Sequence, residues 1–334
     1  MVRQVLWQSV LFAWLRLSFA SSKSFVLDSI DRFEHCAFEI VMVDDRPWNR
    51  ISLNNAPYWV SAAVVNFAYA QRFGYDFTFV RPQLGDDSGT YPGWHKVMYI
   101  AERLRSQRRA VPVGPQQCSW LVYMDGDAFV REQGLPLPFF LSSLASRYRG
   151  FSDATGAVFA AEHKLDWTNL TRGALPENDP EAPFLNTGVF LTRADAPHAG
   201  GTSTAVRLFD AWLDAAAHVV HRRLWTSWPG EQGILSELVR PGSYPEAQSQ
   251  AKRSKWLRKS VLVVNLTEMN SPWGRFIQHS WGRKATETFL RSQALGDALL
   301  RAGLAEPATF ASFVREVQSM TVHWDVWPYF SGTS

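Results

Sequence analysis

Apolar residues along the chain follow two periodicities in turn, one of strands and one of helices. Glu39–Val43, Asp76–Val80, Ala157–Ala161, Phe184–Leu191 and Ser260–Asn265 read as short apolar strands. Residues 119–124, Ser-Trp-Leu-Val-Tyr-Met, are apolar almost without interruption, as a strand buried on both faces requires. Between these runs, Tyr58–Phe73 carries Val60, Val64, Phe67 and Ala68 at helical spacing and stops at Gly74. A second helix over Gly93–Arg108 buries Val97, Ile100, Ala101 and Leu104 and has a basic outer end. Val206–Val219, Glu231–Val239, Ala285–Ala302 and Pro307–Ser319 read as further helices. This alternation predicts an α/β fold, a mixed, mostly parallel sheet with helices on both faces. Long loops around 81–93, 165–183 and 241–258 are rich in Pro, Gly, Asp or Ser and read as lids or binding loops.

With 334 residues, 46% of them hydrophobic and 19% charged, the chain can build a sizeable core. Residues 36–330 read as one domain. The net charge of +3, with no Lys/Arg block or basic–aromatic stripe, argues against a nucleic-acid partner. Fifteen Trp is a high count; such rings stack on sugars, but most serve as core or rim. Cys36 and Cys118 each precede an apolar strand, so either a bridge or two buried thiols is compatible with the sequence. At the N-terminus, Arg3, an apolar run from Val5 to Leu15 and small residues up to Ser22 read as a signal peptide or short signal-anchor over 1–22, interrupted by Arg16. Asn169-Leu-Thr171 and Asn265-Leu-Thr267 fit N-glycosylation acceptors, in line with a secretory, lumenal address.

The candidate chemistry begins where the strand at 119–124 ends, in Asp125-Gly126-Asp127. Two carboxylates at the end of a buried strand need a cationic partner to offset repulsion and desolvation. No Lys or Arg adjoins them in sequence, so the expected partner is Mg2+ or Mn2+ shared with the phosphates of a ligand. Gly126 would let the backbone approach a diphosphate. An acidic loop is the plainer alternative. In Phe276-Ile-Gln-His279-Ser-Trp-Gly282-Arg-Lys284, the imidazole suits a borderline ion, Gly282 permits close approach and Lys284 supplies charge for a phosphate oxygen. Asn186-Thr-Gly188 breaks an apolar strand with an amide that either meets a sugar hydroxyl or marks a turn or bulge. Glu231 and Gln232 open a helix, where an acidic side chain also fits as an N-terminal cap. Lys96 opens another, at an end that repels cations, which hints at an anion nearby.

In order and spacing, the helix with Asn66, Tyr69, Ala70 and Gly74-Tyr75, then Trp94-x-Lys96, Asp125-Gly-Asp127, Asn186-Thr-Gly188, Glu231-Gln232 and His279-x-x-Gly-x-Lys284 resembles a GT-A glycosyltransferase. The set is most similar to the retaining galactosyl- and xylosyltransferases of plant galactomannan and xyloglucan synthesis and to fungal Golgi galactosyl/mannosyltransferases. The resemblance implies a Rossmann-like GT-A domain, a UDP- or GDP-sugar donor, Mn2+ (or Mg2+), a polysaccharide or glycoprotein glycan acceptor, and a type II membrane protein of the Golgi. It implies that Asp125, Asp127 and His279 bind the metal and that Lys96, Gly282 and Lys284 hold the diphosphate. Asn186, Glu231 and Gln232 would face the donor sugar, with Gly126 and Gly188 lining the donor site. Retention through a covalent glycosyl–enzyme on Glu231 or through front-face attack assisted by Gln232 both stay open. So do an inverting enzyme with Asp166 or Glu177 as base, and a non-catalytic carbohydrate-binding protein that holds Ca2+ on the two Asp residues.

Overall fold

The structure is a computed structural model and describes residues 33–48, 51–83, 91–110, 118–161, 185–194, 203–218, 223–226, 230–241, 255–272, 274–279 and 285–326. Its seven-stranded sheet is built from β1 (Ala37–Val43), β2 (Asp76–Gln83), β3 (Ser119–Met124), β5 (Ala157–Ala161), β6 (Leu185–Arg193), β7 (Val261–Val264) and β9 (Val322–Asp325), in the order β7-β5-β6-β3-β1-β2-β9. All paired neighbours run parallel except those of β6, which is antiparallel to both β3 and β5. This is the mixed, mostly parallel α/β sheet that the strand–helix alternation predicts. A separate two-stranded ribbon pairs β4 (Ala128–Val130) with β8 (Ile277–His279).

Alternation along the central strands sorts the core. Ile40, Met42, Val122 and Met124 join one buried cluster with α1 (Tyr58–Phe73) and α3 (Leu137–Arg147). Val41, Leu121 and Tyr123 join the other, with α2 (Gly93–Ala110), α4 (Thr204–Ala217) and α6 (Gly230–Val239). Such period-two sorting is what a strand sandwiched between helical layers must show.

Helix α1 is buried from Trp59 to Ala70, more than the one-sided helix its spacing suggests. The reason lies far along the chain. Helices α9 (Ala285–Arg301) and α10 (Pro307–Ser319) pack on α1, so its outer side is covered as well. At its end Gly74 takes φ 69°, the left-handed turn that favours glycine at a helix stop. Shorter helices α5 (Arg223–Thr226), α7 (Lys255–Ser260) and α8 (Leu266–Met269) fill the connections. Asn265, one of the two acceptor asparagines, caps α8 by accepting from Thr267 N at 3.0 Å, while Asn169 lies outside the described residues. Cys36 and Cys118 form a disulfide across the starts of β1 and β3.

The expectation of a type II membrane anchor is corrected. No helix among the described residues is long and apolar enough to cross a membrane. The signal peptide or short signal-anchor expected over 1–22 lies outside the described residues. The Golgi placement, which the resemblance implies together with that anchor, is not carried further.

Candidate active site

The carboxyl ends of β1 and β3, with the amino-terminal end of the antiparallel β6 beside them, open into a cavity of about 750 Å3. Ligands of open α/β sheets bind at the carboxyl ends of strands. The floor is the Asp125-Gly126-Asp127 turn. Ala128 N donates to Asp125 O at 2.9 Å, which turns the chain from β3 into β4. Asn66 of α1 then holds β4 from behind: its Nδ2 donates to Ala128 O at 3.0 Å, and its Oδ1 accepts from Val130 N at 2.9 Å. Strand β8 pairs alongside and places His279 opposite Ala128.

The two carboxylates and the imidazole meet. One ligand atom from each of Asp125, Asp127 and His279 lies within 4.8 Å of the others. Nε2 of His279 is 3.0 Å from Asp127 Oδ1 and 4.0 Å from Asp125 Oδ2. The carboxylate side chains are 32% and 30% exposed, open to the cavity, whereas His279 is 5% exposed and locked. Asn270 does the locking. Its Nδ2 faces the carbonyls of Asn186 and Val189, both at 3.4 Å, so its Oδ1 accepts from Nδ1 of His279. That bond leaves Nε2 as the nitrogen turned to the carboxylates. Burial alone would lower the imidazole pKa, but Asp127 and Asp125 more than offset it and hold it above its ordinary value. A proton on Nε2, when present, would meet the same two carboxylates that a cation would. Two carboxylate oxygens and one imidazole nitrogen, the latter backed by a second hydrogen bond, are a donor set that fits a small divalent ion such as Mn2+ or Mg2+.

Strand β6 supplies the next wall through an irregularity. Phe159 pairs with Phe190, but the next residue of β5, Ala160, pairs with Asn186, so Thr187, Gly188 and Val189 bulge out of that ladder. Of the two readings left open for Asn186-Thr-Gly188, the bulge is present. Asn186 Oδ1 accepts from Gly188 N at 2.8 Å, and Gly188 O accepts from Asp125 N at 2.7 Å. A Cβ on Gly188 would lie 2.7 Å from both ring nitrogens of His279, so only glycine admits the imidazole here. The bulge also aims Thr187 at α6. Its hydroxyl donates to Glu231 Oε1 at 3.1 Å and its N–H to Gln232 Oε1 at 3.4 Å.

Glu231 is buried, and its Oε2 has no hydrogen-bond partner among the described residues. Its carboxylate packs on Gly93, where a Cβ would come within 2.7 Å of Oε1. Gly93 opens α2, so Glu231 stands at the positive starts of two helices, its own and α2. Lys96, in the first turn of α2, is buried and bridges the two acids. Its Nζ is 3.2 Å from Asp125 Oδ1 and 3.5 Å from Glu231 Oε1. Burial would lower the ammonium pKa; Asp125 and Glu231 reverse this and raise it. The anions that Lys96 attracts are therefore on the chain itself. Tyr123 completes the group: its hydroxyl donates to Asp125 Oδ1 at 2.6 Å, and burial together with Asp125 raises its pKa.

On the β1 side, Asp44 is held by Arg46, whose N and Nε donate to Oδ1 at 3.0 and 2.8 Å, and whose guanidinium lies 5.1 Å from the Trp59 ring centroid. This pair fills the space beside Gly126, where a Cβ would come within 2.6 Å of Arg46 Nη2. His95 is buried in the cavity wall, its Nε2 has no hydrogen-bond partner among the described residues, and burial lowers its pKa.

Of the residues nominated from the sequence, Lys96, Asp125, Gly126, Asp127, Asn186, Gly188, Glu231, Gln232 and His279 all line this one cavity. Gly282 and Lys284 lie outside the described residues. Sequence reasoning missed Tyr123, Thr187, Asn270, Asp44, Arg46 and His95. Tyr123 carried a signal, since two residues before Asp125 on a strand is the same face.

No family model matches the chain, and no curated protein matches it. Among solved structures, it is similar to the crystal structure of a glycosyltransferase involved in the glycosylation of the major capsid of PBCV-1. That likeness has a TM-score of 0.46 and 13% sequence identity, and covers 77% of this chain and 98% of that one.

Proposed function

We propose that the chain is a metal-dependent glycosyltransferase that moves a hexose or pentose from a UDP- or GDP-sugar to a polysaccharide or glycoprotein glycan, with retention of configuration. One observation carries this reading. Asp125, Asp127 and His279, distant in sequence, converge to within 4.8 Å at the floor of a cavity whose wall holds Glu231 and Gln232. Their order along the chain is also that of the glycosyltransferases the sequence resembles.

Asp125, Asp127 and His279 would hold the divalent ion, Mn2+ or Mg2+. When bound, such an ion supplies Lewis-acid neutralisation of the diphosphate that leaves. The chain's own residues do the rest. Asn186 and Gly188 shape the wall beside the ion. Lys96 supplies a positive charge for a phosphate oxygen, as does Lys284 in the reading carried from the resemblance, with Gly282 at close approach. Glu231 presents a carboxylate to the sugar side, held by Thr187 and Lys96. That carboxylate could attack the anomeric carbon as a nucleophile, or stabilise a short-lived oxocarbenium ion while the acceptor attacks the same face. Gln232 lies next to it to orient the sugar.

The test is a panel of sugar nucleotides with Mn2+ present, scored by release of nucleoside diphosphate. One donor should be turned over, and Asp127→Ala should lose at least about a thousandfold of that rate. Absence of release from every donor, together with thermal stabilisation by Ca2+ alone and none by a nucleoside diphosphate with Mn2+, would replace the enzyme with a metal-stabilised carbohydrate-binding protein.

A further inference from the structure

Lys96 grips the floor and the wall of the cavity at the same time. Its Nζ lies 3.2 and 3.3 Å from the two oxygens of Asp125 and 3.5 Å from Glu231 Oε1. Tyr123 also donates to Asp125 Oδ1. Asp125 thus meets both Lys96 and Tyr123, although it is one of the three groups able to ligate an ion. An ammonium and a divalent cation cannot share one carboxylate without strong repulsion, least of all where Lys96 is buried. The backbone cannot relieve this. Trp94 Nε1 donates to Leu224 O at 3.0 Å and Tyr91 N to Trp225 O at 2.6 Å, which pins the start of α2. With the start of α2 pinned, any shift of the ammonium falls to the Lys96 side chain, and Glu231 is the anion it already touches on the other side.

We propose that Lys96 is a positioning residue that couples metal and donor binding: an ion arriving at Asp125 displaces the ammonium, Glu231 holds it, and a donor phosphate then takes it. This rests on the metal-dependent glycosyltransferase reading. Coupling of this kind is reciprocal, so metal tightens diphosphate binding by the same factor that diphosphate tightens metal binding. Metal alone binds weakly because it must first break the Lys96–Asp125 pair.

The experiment is equilibrium Mn2+ binding to the full chain, read by electron paramagnetic resonance of the free ion, without any donor. Lys96→Met should tighten Mn2+ by about tenfold or more. Glu231→Gln removes the holding partner, leaves Lys96 on Asp125 and should weaken Mn2+ severalfold. In the Lys96→Met background the Glu231→Gln change should lose most of that effect, because it acts through Lys96. Inorganic pyrophosphate, with its own complexation of Mn2+ subtracted, should tighten Mn2+ in the wild type and far less in Lys96→Met. Lys96→Gln serves where Lys96→Met does not fold. Wild-type Mn2+ binding that Lys96→Met leaves equal or weaker, or a Glu231→Gln effect that is the same in both backgrounds, overturns this proposal alone. No Mn2+ binding by any form, with or without pyrophosphate, overturns the metal-dependent reading and this proposal with it.

Discussion

Nδ1 of His279 donates to Oδ1 of Asn270, while Nε2 of the same ring lies 3.0 Å from Asp127. The first contact decides what the second can be. With Nδ1 committed, Nε2 either carries a proton toward Asp127 or offers its lone pair to a metal ion. Asn270 is itself fixed, since its amide nitrogen spans two carbonyls of the β6 bulge. Imidazole, orienting amide and bulge thus form one mechanical unit.

Asn270→Ala should therefore weaken Mn2+ binding by about 10- to 100-fold, the usual cost of removing the partner that orients a ligating histidine. Asn270→Asp keeps an acceptor for Nδ1 and should retain most of the affinity. Equal Mn2+ affinity in wild type and Asn270→Ala would show that the ring is oriented by something else.

Gly188→Ala tests the bulge from the other side. The added Cβ would meet Cε1 and both nitrogens of the His279 ring, so the imidazole must leave its place. A displacement of about 1 Å at a reacting centre costs about a hundredfold in rate, and turnover should fall at least that far. Gly134→Ala is the control, because nothing among the described residues lies within 4 Å of its added Cβ. If the two variants turn over donor at the same rate, His279 is not where the reaction needs it.

Much of this was readable from local pattern. Tyr58–Phe73, Ala157–Ala161 and Pro307–Ser319 have the limits that periodicity, Gly74 and Pro307 predict. Asp125 and Asp127 are marked by the apolar strand before them. What escaped was set by partners distant in sequence. Lys96 shows no sign in the sequence of meeting Asp125, because the crossing of α2 over β3 decides it. Asn270 follows a four-residue helix and announces nothing. Strands β4 and β8 have three residues each, too few for any period to emerge. Whether Cys36 and Cys118 pair was likewise open until β1 and β3 were known to be neighbours.

That disulfide gives a stability prediction separable from function. It joins residues 82 apart in sequence at the amino-terminal ends of β1 and β3, opposite the cavity. Closing a loop of that length constrains the unfolded chain by about 4 kcal/mol in the chain-entropy account. Reduction, or Cys36→Ser with Cys118→Ser, should lower the melting temperature by on the order of 10 °C. Mn2+ affinity of the folded fraction should be unchanged. A melting temperature insensitive to reductant would mean that the two thiols are not bridged in solution.

The pH dependence follows from the competition at Nε2 of His279. Burial lowers the imidazole pKa and Asp127 and Asp125 overcome it, so the folded value lies above 6.5. A raised folded pKa means that this contribution to the stability of the metal-free protein is fully present below about 6.5 and is lost as pH rises through the folded value. Buried His95 runs the other way: its lowered pKa makes the folded protein lose stability as pH falls below about 6.5. The metal-free melting curve therefore mixes opposed contributions, and Mn2+ affinity is the cleaner readout. Metal must displace the proton on Nε2, so affinity should climb from about pH 6 by as much as tenfold per unit and level off above the folded pKa of His279. His279→Gln has no such proton to displace, and over the same range its weaker Mn2+ binding should lose that component of the slope. Wild-type affinity that does not change between about pH 6 and about pH 8 would remove Nε2 of His279 from the set of ligands.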